Sequence, residues 1–236
     1  MAFLVQPMMG RSAPADRMRD VFNTRNEQWY SLGVRPDVIF LGDSVTERWD
    51  VELYFRDSGL VILNRGVGGD TTGGMLERLE ADVLQLHPRM AVLNGGINDM
   101  MTTQDDLWWK KPGRDCETVI GEICRNIRTM AEKCAEAGVL PILTTVHICD
   151  LCAPFSNEKS ELVLGKENEY IRALAEEKGW PMADYAELFQ KDGKNIIREY
   201  AVDGVHPDWK GYVQMRDALM KHLHKHKRCQ NSFNKP

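Results

Sequence analysis

Short apolar runs alternate with segments of helical spacing along most of the chain. The runs lie at residues 37–41, 60–63, 90–93 and 139–145, with a weaker one near 181–183. Runs of this length, each bounded by turn residues, are typical of strands that are buried on both faces. Because helical patterns lie between them, the order predicts parallel strands joined by crossover helices.

Helical spacing is clearest between the third and fourth apolar runs. The apolar residues that share one helical face there are Val119, Ile120, Ile123, Ile127, Met130, Ala131 and Cys134. Gly138 follows at a position suited to a left-handed C-cap. The sequence therefore predicts a helix that ends just before Gly138.

Four further helices are predicted. Three cover residues 15–29, 75–86 and 157–178, and the last begins near Asp208, which can serve as its N-cap. In this last helix the inward residues are expected to be Tyr212, Met215, Leu219 and Leu223. The alternation of strands and helices predicts an α/β fold, a three-layer α/β/α sandwich around a five-stranded, mostly parallel sheet.

Length and composition fit one such unit. The chain has 236 residues, of which 43% are apolar, enough for one substantial core. We expect a single domain over residues 1–236, with a helical lead-in at about 12–30 and a basic tail at about 225–236. The sequence leaves a homo-oligomer open.

Charge and hydropathy exclude several classes of protein. Lysine and arginine number 30 against 35 acidic residues, a net charge of −5, which gives no general footprint for nucleic acid. There is neither a membrane-span-length apolar run nor a pattern typical of a secretory signal. We expect a cytoplasmic protein whose six cysteines are reduced.

Unusual residues follow the predicted strands, at the edge where open parallel sheets bind ligands. Residues 42–44 read Gly-Asp-Ser, residues 64–72 are glycine-rich, and residues 94–99 read Asn-Gly-Gly-Ile-Asn-Asp. Before the last helix, residues 203–207 read Asp-Gly-Val-His-Pro. Each stretch alone is also compatible with an ordinary turn, and it is their order and common placement that point to a site.

Together these stretches contain the groups that ester hydrolysis requires. Ser44 can act as a nucleophile, His206 as its base, and Asp203 can orient the imidazole. Asn98 can add a side-chain donor to backbone amides that stabilise a developing oxyanion.

The four stretches resemble the four sequence blocks of SGNH or GDSL-like hydrolases, which include lipases, acylhydrolases and esterases similar to platelet-activating-factor acetylhydrolase. The resemblance implies a flavodoxin-like sandwich, a triad of Ser44, Asp203 and His206, and no cofactor or metal. It also implies an oxyanion hole formed by the amides of Ser44 and Gly69 and the side chain of Asn98. Gly66 or Gly68 would replace Gly69 in a shifted alignment.

Other residues are candidates for binding substrate. We assign Asp43, Arg65, Trp108, Trp109 and His147 to this role, although packing or surface roles are equally compatible with the pattern. Glu47, Arg48, Trp49 and Asp70 are further candidates for the pocket. His147, Cys149 and Cys152 form an HxCx2C cluster, but no second ligand pair supports zinc, so we expect a loop that lines the cleft and no metal site.

The sequence thus predicts a serine esterase that hydrolyses a carboxylic ester of a small molecule, with a short acyl group such as acetyl. Two alternatives remain. The same triad would support an acyltransferase, and the fold alone would support a non-catalytic binding or assembly protein.

Overall fold

The computed structural model describes residues 3–9, 13–106 and 110–228. Its main sheet consists of β1 (Val38–Gly42), β2 (Ile62–Gly66), β3 (Met90–Asn94), β4 (Leu140–Thr144) and β5 (Met182–Ala183). The spatial order is β2-β1-β3-β4-β5, and every neighbouring pair is parallel. The five predicted strands and the α/β class are confirmed. A small antiparallel pair, β6 (Gln190–Lys191) and β7 (Lys194–Asn195), lies apart from this sheet.

Helices flank the sheet. They are α1 (Arg19–Ser31), α2 (Ser44–Glu47), α3 (Val51–Tyr54), α4 (Thr72–Glu77), α5 (Leu79–Asp82), α6 (Ile97–Met101), α7 (Cys116–Glu136), α8 (Asn157–Lys178), α9 (Tyr185–Leu188) and α10 (Trp209–Arg228). Short 3₁₀ segments cover Pro14–Met18, Arg56–Ser58, Leu84–Leu86 and Ile197–Glu199. Helix α7 packs against α8 and β4, whereas α10 packs against β5 and α9.

The register of the central strands brings their carboxyl ends level. Gly42 at the end of β1 pairs with Gly66 of β2 and with Asn94 of β3. Every residue of β1 is buried, because layers on both sides cover the sheet. The loops that leave these three strands therefore meet at one edge.

The long helix α7 forms where its apolar spacing predicts. Val119, Ile123 and Met130 on one face are buried in the core, and the Asp115 side chain caps the start by accepting the Thr118 N–H at 2.8 Å. Gly138 adopts a φ of +74° directly after the helix, which is the conformation that the predicted C-cap requires.

The predicted helix over 75–86 is wrong as a continuous element. It starts earlier, at Thr72, and is divided into α4, α5 and a 3₁₀ turn, with its first break at Arg78. The Arg78 guanidinium is fully buried and donates to the carbonyls of Arg65 and Gly42 at 2.9 and 3.0 Å. The helix is thus interrupted at the residue that binds the ends of two strands. Here tertiary contacts override the local apolar periodicity.

The N-terminal helix is shorter than its pattern. Residues 14–18 form a 3₁₀ turn, and α1 begins only at Arg19. On this helix Phe22 is buried, whereas the neighbouring apolar residue Val21 is exposed.

The last helix follows its prediction closely. Asp208 accepts the N–H groups of Lys210 and Gly211 at 2.8 and 3.0 Å and thereby caps α10. All four residues that were expected to face inward are buried. Among the described residues, no helix combines the length and the apolar character needed to cross a membrane.

Candidate active site

Ser44 lies at the turn between β1 and α2. It is the first residue of α2, and Asp43 caps the helix by accepting the Val45 N–H at 2.9 Å. The turn is so tight that a Cβ on Gly42 would lie 2.1 Å from Thr46 Oγ1. The local sequence therefore places a half-buried hydroxyl at the carboxyl edge of the sheet.

His206 reaches that hydroxyl from the other end of the chain. Its Nε2 lies 2.9 Å from Ser44 Oγ, and its Nδ1 lies 2.6 Å from Asp203 Oδ2. Gly204, with a φ of +73°, allows the turn between the two residues, and a Cβ there would lie 1.9 Å from the Asp150 carbonyl oxygen. The structure thus brings together the three side chains that the sequence singled out.

Hydrogen bonds keep the Asp203 carboxylate charged. Burial by itself would raise its pKa, but the N–H groups of His206 and Val205 donate to Oδ1 at 2.8 and 2.9 Å, and the imidazole donates to Oδ2. These bonds lower the pKa of Asp203 to about 2. Because an ionised carboxylate can only accept, Nδ1 of His206 carries the proton and Nε2 is free to accept from the Ser44 hydroxyl.

The three glycines of the loop after β2 differ in whether their N–H groups are already hydrogen-bonded. The Gly66 N–H donates to Asn64 Oδ1 at 2.8 Å, and the Gly68 N–H donates to Glu47 Oε2 at 2.9 Å. No acceptor among the described residues takes the Gly69 N–H, and Gly69 lines the cleft with a φ of +85°. Of the three glycines that the alignment left open, Gly69 is the one with an available amide.

Asn98 lies on α6 and contacts the same loop. Its Nδ2 donates one hydrogen bond to the Asp70 carbonyl oxygen at 2.8 Å, which leaves the second amide hydrogen for a ligand. Asn98 lines the same cleft as Ser44 and Gly69. Gly69 and Asn98 therefore each offer an N–H group that has no acceptor among the described residues, in the cleft that Ser44 also lines.

A buried ion-pair network supports these loops from behind. Arg78 donates to Asp70 Oδ2 at 2.8 Å and to Asp82 Oδ2 at 3.2 Å, and all three side chains are almost fully buried. Arg19 also binds the Asp82 carboxylate. Since Arg78 also binds the carbonyls of Gly42 and Arg65, it connects the glycine loop to two strand ends.

The cleft has a volume of about 570 Å³ and a mixed lining. Its charged lining residues include Arg17, Glu47 and Arg48, and its apolar lining residues include Ile97, Met101 and Phe155. A hydroxyl that is hydrogen-bonded to an oriented imidazole, next to free N–H donors, is an arrangement that can carry out acyl transfer.

Comparison with known proteins identifies the family. Residues 40–214 match the model of the GDSL-like lipase/acylhydrolase family. The chain belongs to this family. The matched range includes Ser44, Asp203 and His206, and it confirms the resemblance drawn from the four sequence stretches.

Individual relatives agree with the family. The chain is 27% identical over 228 residues to platelet-activating factor acetylhydrolase IB subunit alpha1 of Pongo abelii, covering 90% of each chain. It is 32% identical over 109 residues to the alpha2 subunit from Homo sapiens, covering 45% of this chain and 44% of the other.

Solved structures of other proteins share the fold. A GDSL-like lipase from Bacteroides thetaiotaomicron superposes with a TM-score of 0.69 at 25% identity, over 86% of this chain and 97% of the other. A variant of an acetyl-xylooligosaccharide esterase from Geobacillus Stearmophilus gives a TM-score of 0.61 at 18% identity, over 80% and 94%, and shows the fold alone. As a member of the GDSL-like family, the protein is a hydrolase that acts on esters.

Two residues predicted to bind substrate are buried instead. Asp43 is 0% exposed, since its side chain turns under the helix that it caps, and burial raises its pKa to about 7. Arg65 is 2% exposed, and its guanidinium donates to Asn26 Oδ1 at 2.7 and 3.1 Å and lies over the Phe22 ring. Both side chains therefore support the wall of the cleft from inside and do not line it.

His147 also lies behind the cleft. It is buried, and its Nε2 lies 2.6 Å from the Val205 carbonyl oxygen. Burial lowers its pKa to about 4, so the neutral ring donates to the turn that carries His206. The prediction that His147 binds substrate is therefore wrong, because its side chain contacts the turn that carries His206.

Three other predictions have different outcomes. Trp108 and Trp109 lie outside the described residues. Cys149 is buried whereas Cys152 is exposed, and among the described residues no group of three or more His, Cys, Asp or Glu side chains could hold a metal ion. Glu47 and Arg48 do line the cleft, whereas Trp49 and Asp70 are buried and do not line it.

Sequence reasoning missed part of the lining. Leu151 and Phe155 come from the loop after β4. Cys152 of the same loop lines the cleft, as expected, and the rule that ligands bind at the carboxyl ends of parallel strands would have added the other two residues. Arg17 comes from the N-terminal 3₁₀ turn, and no signal in the sequence connects it to the site.

Proposed function

We propose that this protein is a serine carboxylic ester hydrolase that acts through an acyl-enzyme on Ser44. The observation that supports it most is the unbroken series from Ser44 Oγ to His206 Nε2 at 2.9 Å and from Nδ1 to Asp203 Oδ2 at 2.6 Å. Ser44, His206 and Asp203 are the catalytic triad of this proposal.

In the first half-reaction, Ser44 Oγ forms a bond to the ester carbonyl carbon while its proton passes to His206 Nε2. The ionised Asp203, with its pKa lowered to about 2, stabilises the imidazolium that results. The tetrahedral intermediate then breaks the bond to the alcohol, which leaves with the proton from His206.

In the second half-reaction, water attacks the acyl-enzyme carbonyl. His206 takes one proton from this water and returns a proton to Ser44 as the acid departs. The hydroxyl and the neutral imidazole are restored, so the cycle requires no other reactant.

The oxyanion of each tetrahedral intermediate would be held by the N–H groups of Ser44 and Gly69 and by Asn98 Nδ2. Available N–H donors in a fixed cleft stabilise charge that develops only in the transition state, and loss of one such donor costs about 3 kcal/mol. The restraint of Asn98 by Asp70 supports this role, because a donor held in advance needs no reorganisation.

We further propose that the acyl group is short, with acetyl preferred. This step rests on the relatives, two of which are subunits of a platelet-activating factor acetylhydrolase. The apolar lining of the cleft at Ile97 and Met101 offers a surface for the methyl group of an acetyl ester.

A panel of p-nitrophenyl esters with increasing acyl length tests both parts. We expect hydrolysis by the wild-type protein that decreases from acetyl to octanoyl, and a loss of about 10⁴-fold or more in kcat for Ser44→Ala. Activity that survives this substitution would remove Ser44 as the nucleophile. Faster cleavage of octanoyl than of acetyl would overturn only the short acyl group.

A further inference from the structure

On the rim of the cleft, the ion pair between Arg17 and Glu47 binds both the N–H and the C=O of Gly68 in the glycine loop. Glu47 accepts the Gly68 N–H at 2.9 Å and receives Arg17 Nη2 at 2.9 and 3.2 Å. The same Arg17 nitrogen lies 3.3 Å from the Gly68 carbonyl oxygen. Both polar groups of Gly68 are therefore held by one ion pair.

The elements that carry the pair both pack closely on the glycine loop. Glu47 lies three residues after Ser44 on α2, and a Cβ on Gly68 would lie 2.5 Å from its Oε2 and 3.4 Å from Ser44 Cβ. Arg17 belongs to the N-terminal 3₁₀ turn, whose Pro14 would lie 3.4 Å from a Cβ on Gly69. This turn thus packs over the glycine loop at the point where Arg17 binds it.

The contact with the Gly68 carbonyl determines the direction of the next amide. A trans peptide is planar and directs its C=O and its N–H to opposite sides. When Arg17 holds the Gly68 carbonyl on the rim, the Gly69 N–H of the same peptide must point away from the rim. Gly69 has a φ of +85° and no Cβ, so sterics at this residue restrict the orientation of the Gly68–Gly69 peptide less than a side chain would.

We propose that Arg17 and Glu47 are positioning residues that fix the Gly68–Gly69 peptide so that the Gly69 N–H faces the oxyanion. This inference rests on the proposed function, because it assigns a support to one of its oxyanion donors. Arg17 and Glu47 touch no reacting atom. They stabilise the transition state, in which the oxyanion develops, and have little effect on the affinity for the ester in its ground state.

The exposure of the pair allows this role to be separated from folding. The side chains of Arg17 and Glu47 are 56% and 33% exposed, and ion pairs of this kind contribute little to stability. A variant of either residue that loses activity but keeps its stability would therefore indicate a change in the Gly68–Gly69 peptide and not in the fold.

The test compares Arg17→Met and Glu47→Gln with wild type, using p-nitrophenyl acetate and a trifluoromethyl ketone that forms a tetrahedral adduct with an active serine. For Arg17→Met we expect kcat to decrease about tenfold with KM changed by less than about twofold, a pattern typical of a transition-state interaction. Binding of the ketone should weaken by a similar factor. Arg17→Lys should recover part of the loss, since its ammonium can reach one of the two acceptors.

The two substitutions act on one peptide, so the double variant should lose less than the product of the single losses. Arg128→Met is the matched control, because Arg128 forms a similar exposed pair with Glu177 at 2.7 Å on helices α7 and α8. This control should retain the wild-type kcat and ketone affinity.

The outcomes distinguish the two proposals. If wild type is active, Ser44→Ala is inactive and Arg17→Met keeps the wild-type kcat, the positioning role is wrong while the proposed function stands. A higher KM with unchanged kcat would make Arg17 a substrate contact and would also overturn it. If Ser44→Ala retains activity, the proposed function fails and this inference fails with it.

Discussion

Two aspartates lie beside Ser44, and their surroundings make them different acids. Asp43 precedes Ser44 in the chain and is 0% exposed, and burial raises its pKa to about 7 despite the Val45 N–H bond. Asp203 is far away in sequence, and its side chain is 52% exposed. Burial is outweighed there by hydrogen bonds from His206 and Val205, so the pKa of Asp203 is about 2.

The difference shows that the chemical role of a carboxyl follows from its donors and its access to water, and not from its distance along the chain. Asp203 remains an anion and can stabilise a charged imidazole. In Asp43, Oδ1 accepts the Val45 N–H at the N-terminus of α2, while Oδ2 has no hydrogen-bond partner among the described residues. Asp43 therefore shapes the turn under Ser44, and Asp203 orients His206.

The largest expected effect comes from changing the exposed aspartate. In Asp203→Asn the amide can no longer fix the productive tautomer of His206, and we expect kcat to decrease about 10⁴-fold with the fold retained. Since the side chain is half-exposed, the free energy of unfolding at pH 7 should change by less than about 1 kcal/mol. A decrease in kcat of less than tenfold would contradict the role given to Asp203.

Changing the buried aspartate should alter stability in a pH-dependent way. The pKa of Asp43 rises from 3.8 to about 7 on folding, so between these values the folded state holds a proton that the unfolded state has lost. The free energy of unfolding contributed by Asp43 is therefore present at low pH and is lost as the pH rises through about 7. An asparagine at this position has no such proton, and its amide oxygen can still accept from Val45.

Relative to wild type, Asp43→Asn should gain roughly 4 kcal/mol in the free energy of unfolding as the pH is raised from 4 to 7, because one pKa unit is about 1.4 kcal/mol. Urea unfolding at several pH values measures the difference. Asp57→Asn, at a side chain that is 90% exposed, is the matched control and should follow wild type. A pH-independent difference for Asp43→Asn would show that Asp43 is ionised in the folded protein.

The buried His147 should give the opposite pH dependence of stability. Burial lowers the pKa of His147 from 6.5 to about 4, so in this range the unfolded state binds a proton that the folded state refuses. The stability that His147 contributes is present above pH 6.5 and is lost as the pH falls towards 4. A glutamine at this position cannot titrate, and its amide can donate to the Val205 carbonyl oxygen.

We therefore expect His147→Gln to gain roughly 3 kcal/mol over wild type as the pH is lowered from 6.5 to 4, the reverse of the slope for Asp43→Asn. Urea unfolding over the same pH series measures it. Equal slopes for the two variants would mean that at least one of these buried groups is charged at neutral pH.

The sequence carried enough information for the sheet and for the residues that meet at its edge. Residues 90–93 of β3 form a continuous apolar run because both faces of the strand are covered, and parallel strands place their following residues at one edge. Ser44 follows from that rule and from its chemistry, whereas His206 follows from its chemistry and from the Asp-Gly-Val-His-Pro stretch before the last helix. The same rule, applied to β4, would also have indicated Phe155.

What could not be predicted depends on contacts between distant parts of the chain. The break at Arg78 arises with bonds to Gly42 and Arg65, which no local pattern encodes. Asp43 and Arg65 flank reactive positions, which favours a place in the pocket, yet adjacent residues can point to opposite sides of a turn. Arg17 reaches the cleft only because the N-terminal turn packs on the glycine loop.

The central claim, that Ser44 is the nucleophile of an acyl-enzyme, is tested most directly by covalent labelling. The protein would be treated with a fluorophosphonate, digested, and the labelled peptide identified by mass spectrometry, with Ser44→Ala in parallel. We predict one adduct on Ser44 in wild type and none in the variant. An adduct elsewhere, for example on the exposed thiol of Cys152 in the same cleft, or no adduct at all, would contradict the account.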